Sequence, residues 1–237
     1  MSDGGAEDLT GSKVPRWESE LWSFLCKGDG ERCPLYDRCL IRRECSWCVS
    51  EHITEINQLL ENRQFNIAKY DFIKTESKRL GKPFRLVEML AQKYLRKGKV
   101  HGPPVPVELI SLFDTERNIE IHSIPLKAYH GAIWRLKDRW IIQLKSGDIL
   151  TMKRYILFHE AFHVLAHIQG VPVFRKIGAN QGSFNELLAD FYAIFVLMPK
   201  KAVKEKWAEV NDLKQMAENF QVTELSMWIR LKTMGLI

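Results

Sequence analysis

The sequence predicts an α+β domain, mainly helical, with a small antiparallel sheet packed on a long helix and a helical subdomain at the C-terminal end. Three features predict it. Apolar residues recur at helical spacing over much of the chain, as in Ile53, Ile56, Leu59 and Leu60, and again in Leu86, Met89, Leu90, Tyr94 and Leu95. Runs of β-branched and aromatic residues, IEIHSIPL, GAIWRL and RWIIQL, are confined to residues 119–144. Two strongly apolar helical segments follow, Met152 to Ile168 and Phe184 to Leu197, and they carry the histidines and carboxylates with chemical interest.

Length and composition set the frame. A chain of 237 residues and 27.6 kDa can bury a real core, and 46% hydrophobic with 27% charged residues excludes collagen-like, coiled-coil and wholly disordered classes. The longest apolar stretch, Phe191 to Met198, falls well short of the roughly 20 residues that span a bilayer. The start, MSDGGAEDL, is acidic and lacks a signal-peptide core, so a cytoplasmic location is expected. In that compartment the five cysteines are read as metal ligands or buried thiols before disulfides. Residues 63–154 carry 19 Lys+Arg against 9 Asp+Glu, but these charges are dispersed, which suits a solvated surface better than a nucleic-acid stripe.

Taken in order, residues 1–15 are Gly, Ser and acid-rich and read as a disordered tail. Residues 16–62 form a cysteine-rich module opened by a short helix, Trp17 to Leu25. Residues 63–103 read as a helical linker region, interrupted near Gly81-Lys82-Pro83 and ended by Gly102-Pro103-Pro104. Residues 104–199 hold the core: a short helix over Val107 to Phe113, the strand runs with a hairpin at Lys137-Asp138, and the two apolar helices, ended by Gly170 with Pro172 and by Pro199. Residues 200–237 offer two or three short amphipathic helices.

The first apolar helix contains His159-Glu160-Ala161-Phe162-His163, an HExxH pattern. On a helix the two histidines lie one turn apart, about 6 Å along the axis, on one face, and can grip a single ion. Glu160 is rotated about 100° from His159, away from ligand geometry and toward the role of a proton acceptor for a metal-activated water. Zinc suits two imidazoles plus one carboxylate, because one tetrahedral position stays open for water. The plain alternative is a pair of core histidines with a salt-bridged glutamate between them. His167 lies a further turn away and is expected to cap the helix or support a ligand, while Ala166 and Gln169 exclude the HExxHxxGxxH pattern of metzincins.

The second apolar helix carries Glu186 and Asp190 at i, i+4 among Phe184, Leu187, Leu188, Phe191, Tyr192 and Phe195. Two carboxylates in so apolar a segment are explained if Glu186 is the third ligand and Asp190 orients a ligating histidine through its other ring nitrogen. The alternative is an acidic pair on an amphipathic helix. Tyr129, His130, Tyr155 and Tyr192 are candidates by residue type for stabilising an oxyanion.

With these pieces in hand, residues 84–237 resemble the ImmA/IrrE family of metallopeptidases, bacterial and phage regulators. The segments are PVELI, RWIIQL, YILFHEAFHVLAH, ELLADFYAIFVLMP and NFQVTELSMWIRLKTMGLI. The family's order of HExxH, ExxA(N/D)xFA and LLMP is matched by Glu186, Ala189, Asp190, Tyr192 and Ala193, then Val196-Leu197-Met198-Pro199. The resemblance implies a zincin-like metallopeptidase core over residues 104–199, with His159, His163 and Glu186 as zinc ligands and Glu160 as catalytic base. It also implies a zinc-dependent endopeptidase that cleaves a helix-turn-helix transcriptional repressor in stress or mobile-element regulation. Ala161-Phe162 replaces the family's usual Leu-Gly, so the phenyl ring either narrows the cleft or faces the core, and Ser226 replaces a common Ala. RWIIQL, just before the zinc helix, is expected to offer an edge to which an extended substrate segment adds as a strand.

Cys26, Cys33, Cys39, Cys45 and Cys48, followed by His52, form a cluster with one short CxxC interval and no counterpart in that resemblance. A second zinc, an iron-sulfur cluster, redox-sensing thiols and incidental cysteines all remain open readings. The competing function is a non-catalytic zinc-containing regulator that binds DNA or a protein partner. An intact Glu160 favours the enzyme, since a structural site needs no base beside an open position.

Overall fold

A computed structural model describes residues 15–23, 81–127, 129–168 and 183–237. They belong to two compact units, one drawn from residues 1–86 and 169–188, the other from 87–168 and 189–237. The first contributes α1 (Arg16–Ser23), in which Glu18, Leu21 and Trp22 are buried. Among the described residues no helix is long and apolar enough to cross a membrane.

The order continues with α2 (Gly81–Lys97), a 3₁₀ helix (Val107–Leu112), β1 (Asn118–Ile124), β2 (Gly131–Arg135) and β3 (Arg139–Lys145). Helices α3 (Leu150–Ile168), α4 (Ser183–Leu197), α5 (Lys200–Val210), α6 (Leu213–Phe220) and α7 (Glu224–Met234) complete it. The α2 helix starts at the Gly-Lys-Pro that the sequence reads as an interruption. Pro83 falls in its first turn, where a missing N–H costs no helical hydrogen bond.

The sheet is three-stranded in the order β1-β3-β2. β2 and β3 form the expected antiparallel hairpin, with Gly131 opposite Leu144 and Arg135 opposite Trp140. β1, however, runs parallel to β3, pairing Asn118 with Arg139 and Ile124 with Lys145, so the sheet is mixed rather than wholly antiparallel. The hairpin signal fixes β2 against β3 but says nothing about which side of the pair receives β1. Because β1 takes the other side of β3, RWIIQL is the central strand and has no free edge, contrary to the expectation that it receives substrate.

Period-two burial orients the sheet. Trp140, Ile142 and Leu144 are buried while their neighbours on β3 are partly exposed, so one face looks inward, where α3 packs on β2 and β3. Residues 189–197 of α4 are apolar nearly all round, as buried helices are, and α3 is buried most densely in its second half: Leu157, Phe158, Ala161, Phe162, Val164 and Leu165 on α3 are buried, as are Ala189, Tyr192 and Val196 on α4. Asp114 ties the sheet to the segment before it. Its Oδ2 accepts from the Trp140 indole N–H at 2.8 Å and its Oδ1 from the Glu116 and Arg117 backbone N–H groups at 2.8 and 3.1 Å.

The three C-terminal helices are delimited by local chemistry. Asp212 and Thr223 cap α6 and α7 by accepting from Gln215 N and Ser226 N. Asn211, Gln221 and Gly235 end α5, α6 and α7 in left-handed conformations. Arg230 of α7 is buried, donates to the Met198 carbonyl at 3.0 Å and to Glu88 Oε1 of α2 at 2.7 Å, and lies 4.6 Å over the Phe195 ring. One guanidinium thereby joins α7 to the end of α4 and to α2.

Candidate metal centre

His159 and His163 sit one turn apart on α3, and the structure turns both rings toward one point: their Nε2 atoms are 3.2 Å apart and their ring centroids 4.9 Å. Two imidazole nitrogens bound to one tetrahedral zinc at roughly 2.0–2.1 Å stand about 3.3 Å from each other, so the pair is spaced to share such an ion. His163 is fully buried and the His159 side chain is 12% exposed.

Asp190 of α4 decides how His159 presents itself. Its Oδ1 lies 2.8 Å from His159 Nδ1. An ionised carboxylate only accepts, so the hydrogen shared with Asp190 belongs to Nδ1, and Nε2 is the ring nitrogen that faces His163 Nε2. The same Oδ1 accepts from the Tyr155 hydroxyl at 2.7 Å. The Tyr155 hydroxyl, a candidate by type for stabilising an oxyanion, is thus engaged with Asp190. The spacing that brings it there, i, i+4 from Tyr155 to His159 on α3, is visible in the sequence, but the residue across from it is not.

Glu160, next along α3, lies against the backbone at the start of β2. A Cβ built on Gly131 would stand 2.7 Å from Glu160 Oε1 and 3.1 Å from its Cγ, and would also meet Ile156 Cγ2. The missing side chain of Gly131 is the space that the Glu160 carboxylate occupies. A glycine opening the GAIWRL run is the one sequence signal of such a close approach.

Phe162, the bulky residue inside HExxH, faces the core. It is fully buried, its ring 5.4 Å from that of Tyr192 and 6.0 Å from that of His163. Tyr192, also fully buried, further packs 6.1 Å from Phe113, which removes it from the oxyanion candidates. Tyr129 and His130 stand exposed just before β2, with His130 Nδ1 2.7 Å from Asp148 Oδ2.

Among the described residues no set of three His, Cys, Asp or Glu side chains is gathered for a metal. Glu186 belongs to the first turns of α4, but its side chain, like that of His167, lies outside the described residues. The whole cluster of Cys26, Cys33, Cys39, Cys45, Cys48 and His52 lies outside them too.

No curated protein matches the sequence. The family model described as the IrrE N-terminal-like domain matches residues 114–232, from the turn before β1 through most of α7, and so takes in α3, α4 and every residue of the His-Asp-Tyr arrangement. With half the chain under that match, the protein belongs to the ImmA/IrrE family of metallopeptidases.

Proposed function

We propose that this metallopeptidase is a zinc-dependent regulatory endopeptidase of the cytoplasm, and that its substrate is a helix-turn-helix transcriptional repressor. The observation that carries the zinc reading is the pair of Nε2 atoms 3.2 Å apart, with His159 held in its Nδ1–H tautomer by Asp190. His159 and His163 would hold the ion with Glu186, which precedes Asp190 by one turn of α4. Bound there, zinc supplies Lewis acidity toward the scissile carbonyl and brings the pKa of a water near about 7.

The chain's own groups do the rest. Glu160, whose carboxylate lies beside Gly131, would accept the proton of that water and then return it to the leaving amine. Asp190 keeps the His159 ring from rotating as charge develops. β2 is the edge strand beside Glu160, so an extended peptide adds to β2, not β3, and lays its scissile bond near the base.

Co-expression of the protein with the repressors encoded beside its gene tests this reading. Wild type is expected to cut one of them, and Glu160→Gln to leave zinc content and fold intact while cleavage falls by about 10²–10⁴. If Glu160→Gln retains full biological activity, the non-catalytic regulator that binds DNA or a partner is the better description.

A further inference from the structure

We infer that Tyr155 is a positioning residue of the metal site: its hydroxyl holds the Asp190 carboxylate in the place from which that carboxylate orients His159. This rests on the zinc reading above and adds to it a third member of a chain that runs from Tyr155 to Asp190 to His159.

Two donors meet on one atom. The Tyr155 O–H reaches Asp190 Oδ1 at 2.7 Å and the His159 Nδ1–H reaches the same oxygen at 2.8 Å. Both lengths lie within the range of well-formed hydrogen bonds. Tyr155 and His159 are one turn apart on α3, so the two bonds fasten a single α4 carboxylate to two successive turns of the helix that carries both histidines. Asp190 needs the second tie. Its side chain is 28% exposed, and with the His159 bond alone water would compete for the carboxylate and its side-chain torsions would be free to swing it away. With Tyr155 in place, departure of the carboxylate breaks two charge-assisted bonds instead of one. The effect is read at His159 Nε2, whose direction toward the ion site follows the orientation of the ring.

A tyrosine kept only for packing makes a different prediction, because phenylalanine fills the same space without the hydroxyl. The test is titration of the full-length protein with Co²⁺ alone. The d–d absorption of nitrogen- and oxygen-ligated cobalt is followed, since cobalt on the N-terminal cysteines would add a thiolate charge-transfer band that tells the two sites apart. Zn²⁺ displacement of the cobalt then gives zinc affinity. Loss of an orienting partner typically weakens metal binding by 10–100-fold, and Tyr155, which acts through Asp190, is expected at the lower end, about tenfold for Tyr155→Phe.

The melting temperature of metal-free Tyr155→Phe should fall by no more than the few degrees that one lost hydrogen bond costs. In an Asp190→Ala background the same substitution should change affinity by less than about twofold, because nothing remains for the hydroxyl to hold. Unchanged or tighter binding in Tyr155→Phe overturns the inference while leaving the zinc reading intact, and so does an equal loss in the Asp190→Ala background. If metal-free Tyr155→Phe melts lower still, the Asp190→Ala pair decides by the same two results. A wild type with no d–d band overturns the zinc reading and this inference with it.

Discussion

The Glu160 carboxylate of α3 stands where a side chain on Gly131 of β2 would crowd it: a Cβ there would come within 2.7 Å of Glu160 Oε1 and closer still to Ile156 Cγ2. The strand thus sets where the proton acceptor can stand. Gly131→Ala is expected to displace both the Ile156 side chain and the carboxylate, the latter by about 1 Å, a displacement that can cost about 10²-fold in rate, with metal content unchanged. Measuring repressor cleavage and bound zinc in the same preparation checks this; full cleavage by Gly131→Ala would show that the carboxylate has room to spare.

Phe162 supplies core volume beside the histidine pair, packed on Tyr192. Phe162→Ala should destabilise the protein by about 3–5 kcal/mol, most of it from the cavity left against Tyr192. Denaturant titration measures the loss. A change under about 1 kcal/mol would mean that the neighbours collapse into the space.

Asp114 makes stability depend on pH. Burial raises its pKa, but the Trp140 hydrogen bond, the Glu116 and Arg117 backbone N–H groups and the Arg117 charge outweigh that, and the folded value lies below the ordinary 3.8. The folded state therefore binds this proton less readily than the unfolded chain does. Its contribution is full above the unfolded value and is lost as pH falls through the folded one. Asp114→Ala should cost about 2 kcal/mol near neutrality, since it strands the buried indole N–H. The gap between wild type and variant should narrow only below about pH 4. Chemical denaturation across pH 3 to 7 reads both; a gap that closes already at pH 6 would contradict it.

Arg230 is an internal tether. Burial lowers its pKa and Glu88 partly restores it, and the guanidinium stays charged. Glu88→Ala should cost about 3 kcal/mol, because it leaves a buried cation with only the Met198 carbonyl and the Phe195 face. Arg230→Met should cost less than that, since it removes the buried charge and leaves unpaired the Glu88 carboxylate, which reaches solvent. Thermal melts of the two variants decide the order, and an equal or reversed order would show that Glu88 contributes little.

The helices were legible because their signals are local. Apolar spacing marks α2, α3 and α4, and amphipathic spacing marks the short helices after residue 200, whose Asp212 and Thr223 caps the structure supplies. The β2–β3 hairpin was legible for the same reason. The side of β3 that β1 joins was not, because strand order is decided by packing between segments far apart in sequence. At the site, HExxH spacing on a helix is enough to put His159 and His163 on one face, and an acidic residue in an apolar helix draws notice to Asp190. Gly131 escaped, and Tyr155 drew notice only by residue type and for another role, because their parts are defined by partners 29 and 35 residues away, Glu160 and Asp190.

The most direct measurement of the central claim is a crystal structure of the zinc-loaded protein with anomalous scattering recorded at the zinc edge. The account predicts one peak between His159 Nε2 and His163 Nε2, closed by the Glu186 carboxylate, with Glu160 near the ion but not bound to it. A zinc-loaded crystal with no peak between those two nitrogens, or a peak that Glu186 does not approach, would contradict it.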